Sequence, residues 1–322
     1  MFTKTECGSF RICIREDGSG YIRILREVGR TFMKRVLGTA IRVAAFYLVW
    51  VLFAGFFSLT REDPVMNRIW AELPLLICVV VLTIGFSIID RHDMTMPLLR
   101  NLPGGMITGS FFGAAWVGVA VLVLFLMERL SFQGVTEMTQ FWWWALAVLI
   151  HSTTQEMLFR GYVYQVIKGR HNAMAAFGVT TILYLWCAGF AWNEGIIPVA
   201  SVLCFSILMT LLMEVTGNLI TSILANASFH IMAGLVLGCI KMDPDYPHWI
   251  NTVLKGNVRF TGGSCLLLGN VIFLLISAIL VVMFTSVRLM QRSAMIRQER
   301  EREEAEQANL PVPEEDDSSY VF

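Results

Sequence analysis

The stretch His151 to Gly161, HSTTQEMLFRG, gathers an imidazole, an amide, a carboxylate and a guanidinium within a few turns of helix. It closes an apolar run that begins near residue 138 and is long enough to cross a bilayer. Gln155, Glu156 and Arg160 therefore fall at or just inside the membrane boundary. A charge near mid-bilayer costs about 2.5 to 3.5 kcal/mol on insertion scales, so such residues are rare and usually partnered. On a helix Glu156 and Arg160 share a face, with the acid N-terminal to the base, the better order for pairing. Two readings follow: a structural ion pair that pins a helix end, or a catalytic corner facing a polar cavity.

A second polar group lies in a later apolar run, where Asn226 and His230 are four apart and Ser222 and Ser228 are close by. Several polar groups on a lipid-facing helix would be costly, so this face is expected to look into a bundle. His230 is open to three roles: metal ligand, general base, or hydrogen-bonded core residue. His151 shares a face with Gln155, one turn deeper in the membrane. Should the two runs be neighbours, His151, Glu156 and His230 would make a Glu/His/His set of the kind that holds zinc. Tyr184, Trp186 and Cys187 are aromatic and soft rather than obvious ligands, and His92, His171 and His248 fall in or near loops, where solvation is expected.

These groups need a membrane domain to position them. The chain is 56% hydrophobic and 16% charged, with a mean hydropathy of +0.62, where a soluble domain has about 45–50% apolar and 25% charged residues. That composition excludes an ordinary soluble enzyme, and the zero formal net charge offers nothing to nucleic acid. The expected architecture is an all-α, eight-helix polytopic bundle, since about 20 apolar residues cross a 30 Å core. The spans fall near 43–60, 70–89, 106–127, 141–160, 173–192, 195–213, 218–240 and 265–287. The second begins with Glu72 and Pro74 and is expected to be irregular there, and a tight hairpin at Trp192–Gly195 separates the fifth from the sixth. The scattered cysteines read as small buried hydrophobes, with no Cys/His zinc spacing.

Three parts follow: a basic segment over 1–40, the membrane domain over 41–290, and a charged tail over 291–322. In the first, FRICI and YIRIL flank an Asp-Gly turn signal that would suit a short hairpin. Ile22, Leu25, Val28, Phe32 and Val36 then recur at helical spacing among basic residues, the pattern of a cationic amphipathic helix on an anionic leaflet. No cleavable signal peptide is evident. Lys and Arg cluster before the first span and after the last, with Lys168 and Arg170 after the fourth, so both termini are expected in the cytoplasm. The tail has too little apolar content to order itself beyond a short helix.

Gln155-Glu156-Met-Leu-Phe-Arg160 resembles the EExxxR motif of the CAAX-protease and bacteriocin-processing (CPBP/Abi) family of intramembrane proteases. The family's second motif, FxxxH, falls on Tyr184 to Ala188, and its third, HxxxN, on Asn226 to His230. FTGGSC, Phe260 to Cys265, also looks like a family feature, and the likeness spans roughly residues 75 to 287. The resemblance implies an eight-helix bundle with a polar cavity open to the cytoplasm. It further implies that the first Glu, the two motif histidines and the final Asn activate a water to cleave a peptide bond.

Carried over by position, the first Glu is Gln155, the motif-two His is Ala188, the motif-three His is Asn226 and the final Asn is His230. Glu156 and Arg160 match. An amide accepts no proton at neutral pH, and losing a positioned base alone costs about 10²- to 10⁴-fold in rate. The Asn/His exchange moves the imidazole one turn, about 5.4 Å. Two function classes remain. One is a non-catalytic relative that binds a membrane protein or lipidated peptide in the inherited cavity and needs no cofactor. The other is a metallo-endopeptidase with a rebuilt site of Glu156, His151 and His230 and a bound zinc.

Overall fold

A computed structural model describes residues 18–56, 62–89, 101–242 and 246–308. The chain is helical almost throughout, in the order α1 (Gly18–Phe56), α2 (Pro64–Ile89), α3 (Leu102–Leu126), a strand β1 (Leu130–Val135), and α4 (Phe141–Glu156). A π-helical segment, Met157–Val163, joins α4 to α5 (Tyr164–Arg170). Then come α6 (Ala173–Cys187), α7 (Phe190–Glu194), α8 (Ile196–Thr216), and α9 (Leu219–His230), which widens into a second π segment, Ile231–Val236. Strand β2 (Ile250–Leu254), α10 (Val258–Thr261), a 3₁₀ turn (Gly263–Gly269) and α11 (Val271–Ala308) complete the described chain. Among the described residues six stretches are long and apolar enough to cross a membrane: Arg30–Gly55, Pro64–Ile89, Leu102–Leu126, Ile196–Thr216, Leu219–Val236 and Gly263–Glu304. The protein is an all-α, multi-pass membrane protein.

The two remaining expected spans differ for physical reasons. The run over 141–160 changes from α to π geometry at Met157 and carries a buried ion pair. The run over 173–192 stops at Cys187, so α6 rises only about 22 Å. The expected Trp192–Gly195 hairpin is a short helix, α7, closed by Gly195 at φ 108°. Pro74 lies inside an unbroken α2 with Glu72 buried, so the start of this span is regular.

The most intimate seam joins α3 to α9. Gly105, Gly109 and Gly113 recur every fourth residue along α3; Gly105 meets the side chains of Asn218 and Thr221 at the start of α9, and the other two face its backbone. A Cβ on Gly109 would run into the Thr221 carbonyl, and one on Gly113 into that of Ala225. Without a strong hydrophobic drive between helices in lipid, such small residues are what let backbones approach and pack. Aromatic rings fill the neighbouring space. Trp116 stacks on Phe205 and Phe273 at centroid distances of 5.5 and 5.3 Å and touches Phe229 at 5.0 Å, tying α3 to α8, α9 and α11.

Several expectations over the ends and loops are corrected. YIRIL belongs to α1 and not to a hairpin arm; FRICI and the first 17 residues lie outside the described residues, as do His92, Cys7 and Cys13. The tail is helical as far as Ala308, as a continuation of α11, because Arg/Glu pairs such as Arg297–Glu301 at 2.9 Å support an exposed helix. Residues 309–322 lie outside the described residues. An antiparallel pair, β1 with β2, joins the loop after α3 to the loop before α10, where no strand was expected. His171 and His248 are bonded rather than merely solvated, to Thr39 Oγ1 at 3.0 Å and Asn251 Oδ1 at 2.6 Å. Cys187 is exposed at the end of α6, with its sulfur against the Tyr47 hydroxyl, while Cys78, Cys239 and Cys265 are buried.

Candidate functional site

α4 packs on α9, so the two polar runs meet as neighbours. Glu156 Oε1 pairs with Arg160 Nη1 at 3.0 Å, and both side chains have 0% exposure. Asn226, also fully buried, donates from Nδ2 to the same Glu156 oxygen at 2.8 Å and to Gln155 Oε1 at 3.3 Å. Its own Oδ1 accepts from Ser152 Oγ at 3.3 Å, and the Tyr184 hydroxyl donates to Gln155 Oε1 at 3.4 Å. One asparagine thus bridges the amide and the acid.

The guanidinium is satisfied on every side. Arg160 Nη2 donates to the Ser206 carbonyl and hydroxyl, each at 2.9 Å, and Nε to Thr210 Oγ1 at 3.4 Å. Its charge sits 4.7 Å from the centre of the Tyr184 ring, a cation–π contact. The wide π turn that holds Arg160 begins right after Glu156, and the second π segment begins right after His230. Such bulges are frequently found at functional sites. Glu156 Oε2 is buried and has no hydrogen-bond partner among the described residues.

The histidines take other partners. His151 Nδ1 lies 2.9 Å from Glu72 Oε1 on α2, and the same oxygen receives Arg68 Nη2 at 3.1 Å. Arg68 also donates from Nε to the Tyr246 hydroxyl at 3.2 Å. His230 Nδ1 bonds to the Asn226 carbonyl at 2.9 Å, with the Phe205 and Phe229 rings against its own at 5.8 and 5.3 Å. The expected set of His151, Glu156 and His230 is not assembled as a ligand group. No cluster of three or more His, Cys, Asp or Glu side chains placed to hold a metal occurs among the described residues. The reason is local: Glu156 turns to Arg160 and Asn226, and His151 turns to α2.

Of the motif positions, Gln155, Glu156, Arg160 and Asn226 come together in one network, while His230 sits a turn away and Ala188 ends α6 without a polar group. Ser152, Ser206, Thr210, Tyr184 and Glu72 were missed as partners. Ser206 and Thr210, four apart in the apolar middle of α8, carried a signal of the same kind as Asn226 and His230. No curated protein and no solved structure matches the chain. Residues 137–232, which hold every one of these motif positions, match the family model of the Rce1-like type II CAAX prenyl endopeptidases, and over that stretch the chain is similar to this branch of the CPBP proteases.

Proposed function

We propose that the protein is a non-catalytic relative of the intramembrane CAAX proteases that holds a membrane protein or lipidated peptide at the inherited site. Its membrane segments are eight, and both termini face the cytoplasm, in keeping with the basic residues in the first half of α1 and the second half of α11, beside their apolar stretches. One observation carries the reading: where a general base would stand, Gln155 Oε1 accepts from Tyr184 and Asn226. An oxygen that receives two donors, on an amide that takes up no proton, activates no water. The neighbouring Glu156 is neutralised by Arg160. Purified protein in vesicles, given a prenylated CAAX-type peptide, is expected to release no cleaved product, with Glu156→Gln indistinguishable from wild type. Turnover that disappears in Glu156→Gln would overturn the reading.

A second reading is favoured by the unpartnered Oε2 of Glu156, which keeps a lone pair for a water or a ligand. It makes the chain an endopeptidase with Glu156 as base, and for it His151 and His230, which here turn to Glu72 and the Asn226 carbonyl, would have to swing round to hold a zinc beside that oxygen. On that reading the purified protein carries stoichiometric zinc, lost in His230→Ala.

A further inference from the structure

The orientation of the helices places two imidazoles opposite each other above the site. Arg160 meets Ser206 and Thr210, and further on Lys168 meets Glu214 at 2.5 Å, so α4–α5 runs in step with α8. α9 turns back after Gly217 and Asn218, so it runs antiparallel to α4. Gln155 and Asn226 are in contact. One turn back along α4 is His151, and one turn forward along α9 is His230, and both steps lead away from Arg160 on the same side. His230 is about 16 Å along α9 from Leu219, near the middle of a 30 Å core.

Both rings are held in the same tautomer. Glu72 Oε1 and the Asn226 carbonyl are acceptors, so each Nδ1 carries a proton, and in the neutral ring each Nε2 offers its lone pair. These groups are also reachable. The His151 side chain is 37% exposed, and Gln155 and His230 are partly exposed, whereas Glu156, Arg160 and Asn226 are sealed. Bare acceptors on an accessible face at mid-membrane depth are costly against acyl chains, which offer no donor.

We propose that His151, Gln155 and His230 form the contact site for a partner's transmembrane segment that carries hydrogen-bond donors at its midpoint, such as the main-chain N–H groups freed where a helix is interrupted. The two Nε2 atoms accept these donors, and the Gln155 amide meets a freed carbonyl. Glu72 is a positioning residue that fixes the His151 ring. The inference rests on the partner-binding reading above and adds to it where the partner sits and what it presents.

The test uses the full chain in vesicles and two labelled synthetic helices of about 25 Leu and Ala residues, one continuous and one with a central Gly-Pro break. Energy transfer is expected to show the interrupted helix binding about three- to thirtyfold more tightly, the range of one intramembrane hydrogen bond. That preference is expected to fall in His151→Leu and in His230→Leu, to vanish when both are changed, and to persist in His230→Gln, which keeps an acceptor. Gln155→Leu gives the same test should either Leu variant fail to fold. Equal binding of the two helices by wild type, or a preference unchanged in the Leu variants, would overturn the inference. Either result leaves the absence of proteolysis standing, whereas peptide cleavage would remove the non-catalytic reading whatever the helices do.

Discussion

Glu156 with Arg160 and Glu72 with Arg68 are the same two side chains at the same four-residue spacing, set in different surroundings. The first pair is 0% exposed on both sides and closed by Ser206, Thr210, Asn226 and Tyr184. In the second, Arg68 is 27% exposed and Glu72 9%, and Glu72 shares its Oε1 with His151. A sealed pair fixes how α4, α8 and α9 sit relative to one another. A pair open at one end can position a ring, here His151, that faces an accessible space. The lesson is that an acid and a base four apart do not declare a role until the third partner is known.

The sharpest way to break this comparison is Arg160→Ala. Removing one member of a buried pair leaves an uncompensated charge and costs about 3 to 5 kcal/mol, and here it also strips donors from Ser206 and Thr210. A large fall in melting temperature in detergent is expected. The double variant Glu156→Leu/Arg160→Met is expected to recover much of that loss, since a buried pair exchanged for apolar residues of similar volume is often close to neutral. No recovery would mean that the network contributes more than the orphaned charge costs.

Gly109→Val tests the support beneath the sealed site. Its new side chain would meet the Thr221 carbonyl and Leu224 and push α9 away from α3, an overpacking cost of about 1 to 3 kcal/mol. Because α9 carries Asn226, the sealed cluster is expected to loosen while the Arg68–Glu72–His151 group, on α2 and α4, is left as it was. Exchange of the Asn226 side-chain amide protons, followed by NMR, should quicken. Unchanged exchange would place the rigidity elsewhere.

Much of this was legible in the residues. The polar groups Gln155, Glu156, Arg160, Asn226 and His230 stood out because each is an exception within an apolar run, and spacing alone gave Glu156–Arg160. The seam on α3 is equally present in the residues, as glycines four apart in GGMITGSFFG. What sequence could not give was rotation. His151 shares a face with Gln155, yet its ring is claimed by Glu72 from a helix about eighty positions earlier. The π turns after Glu156 and His230 add a shift in that rotation which no residue type announces. The assembly of His151, Glu156 and His230 failed for this reason.

The smallest effect is expected from Arg68→Ala, and it decides whether the outer group is as open as its exposure indicates. Partly exposed ion pairs contribute about 0 to 1 kcal/mol, since water already serves the guanidinium. Glu72 would keep its 2.9 Å bond to His151, so its carboxylate would not be orphaned. Tyr246 would lose a donor at 3.2 Å but is itself partly exposed and can turn to solvent. A melting temperature within a few degrees of wild type is therefore expected, beside a large fall for Arg160→Ala measured in the same detergent. Removing Glu72 in the Arg68→Ala background should add more than Arg68→Ala did alone, because it frees the His151 ring. A fall for Arg68→Ala that rivals Arg160→Ala would show two sealed sites where the exposure of His151 and Arg68 indicates one.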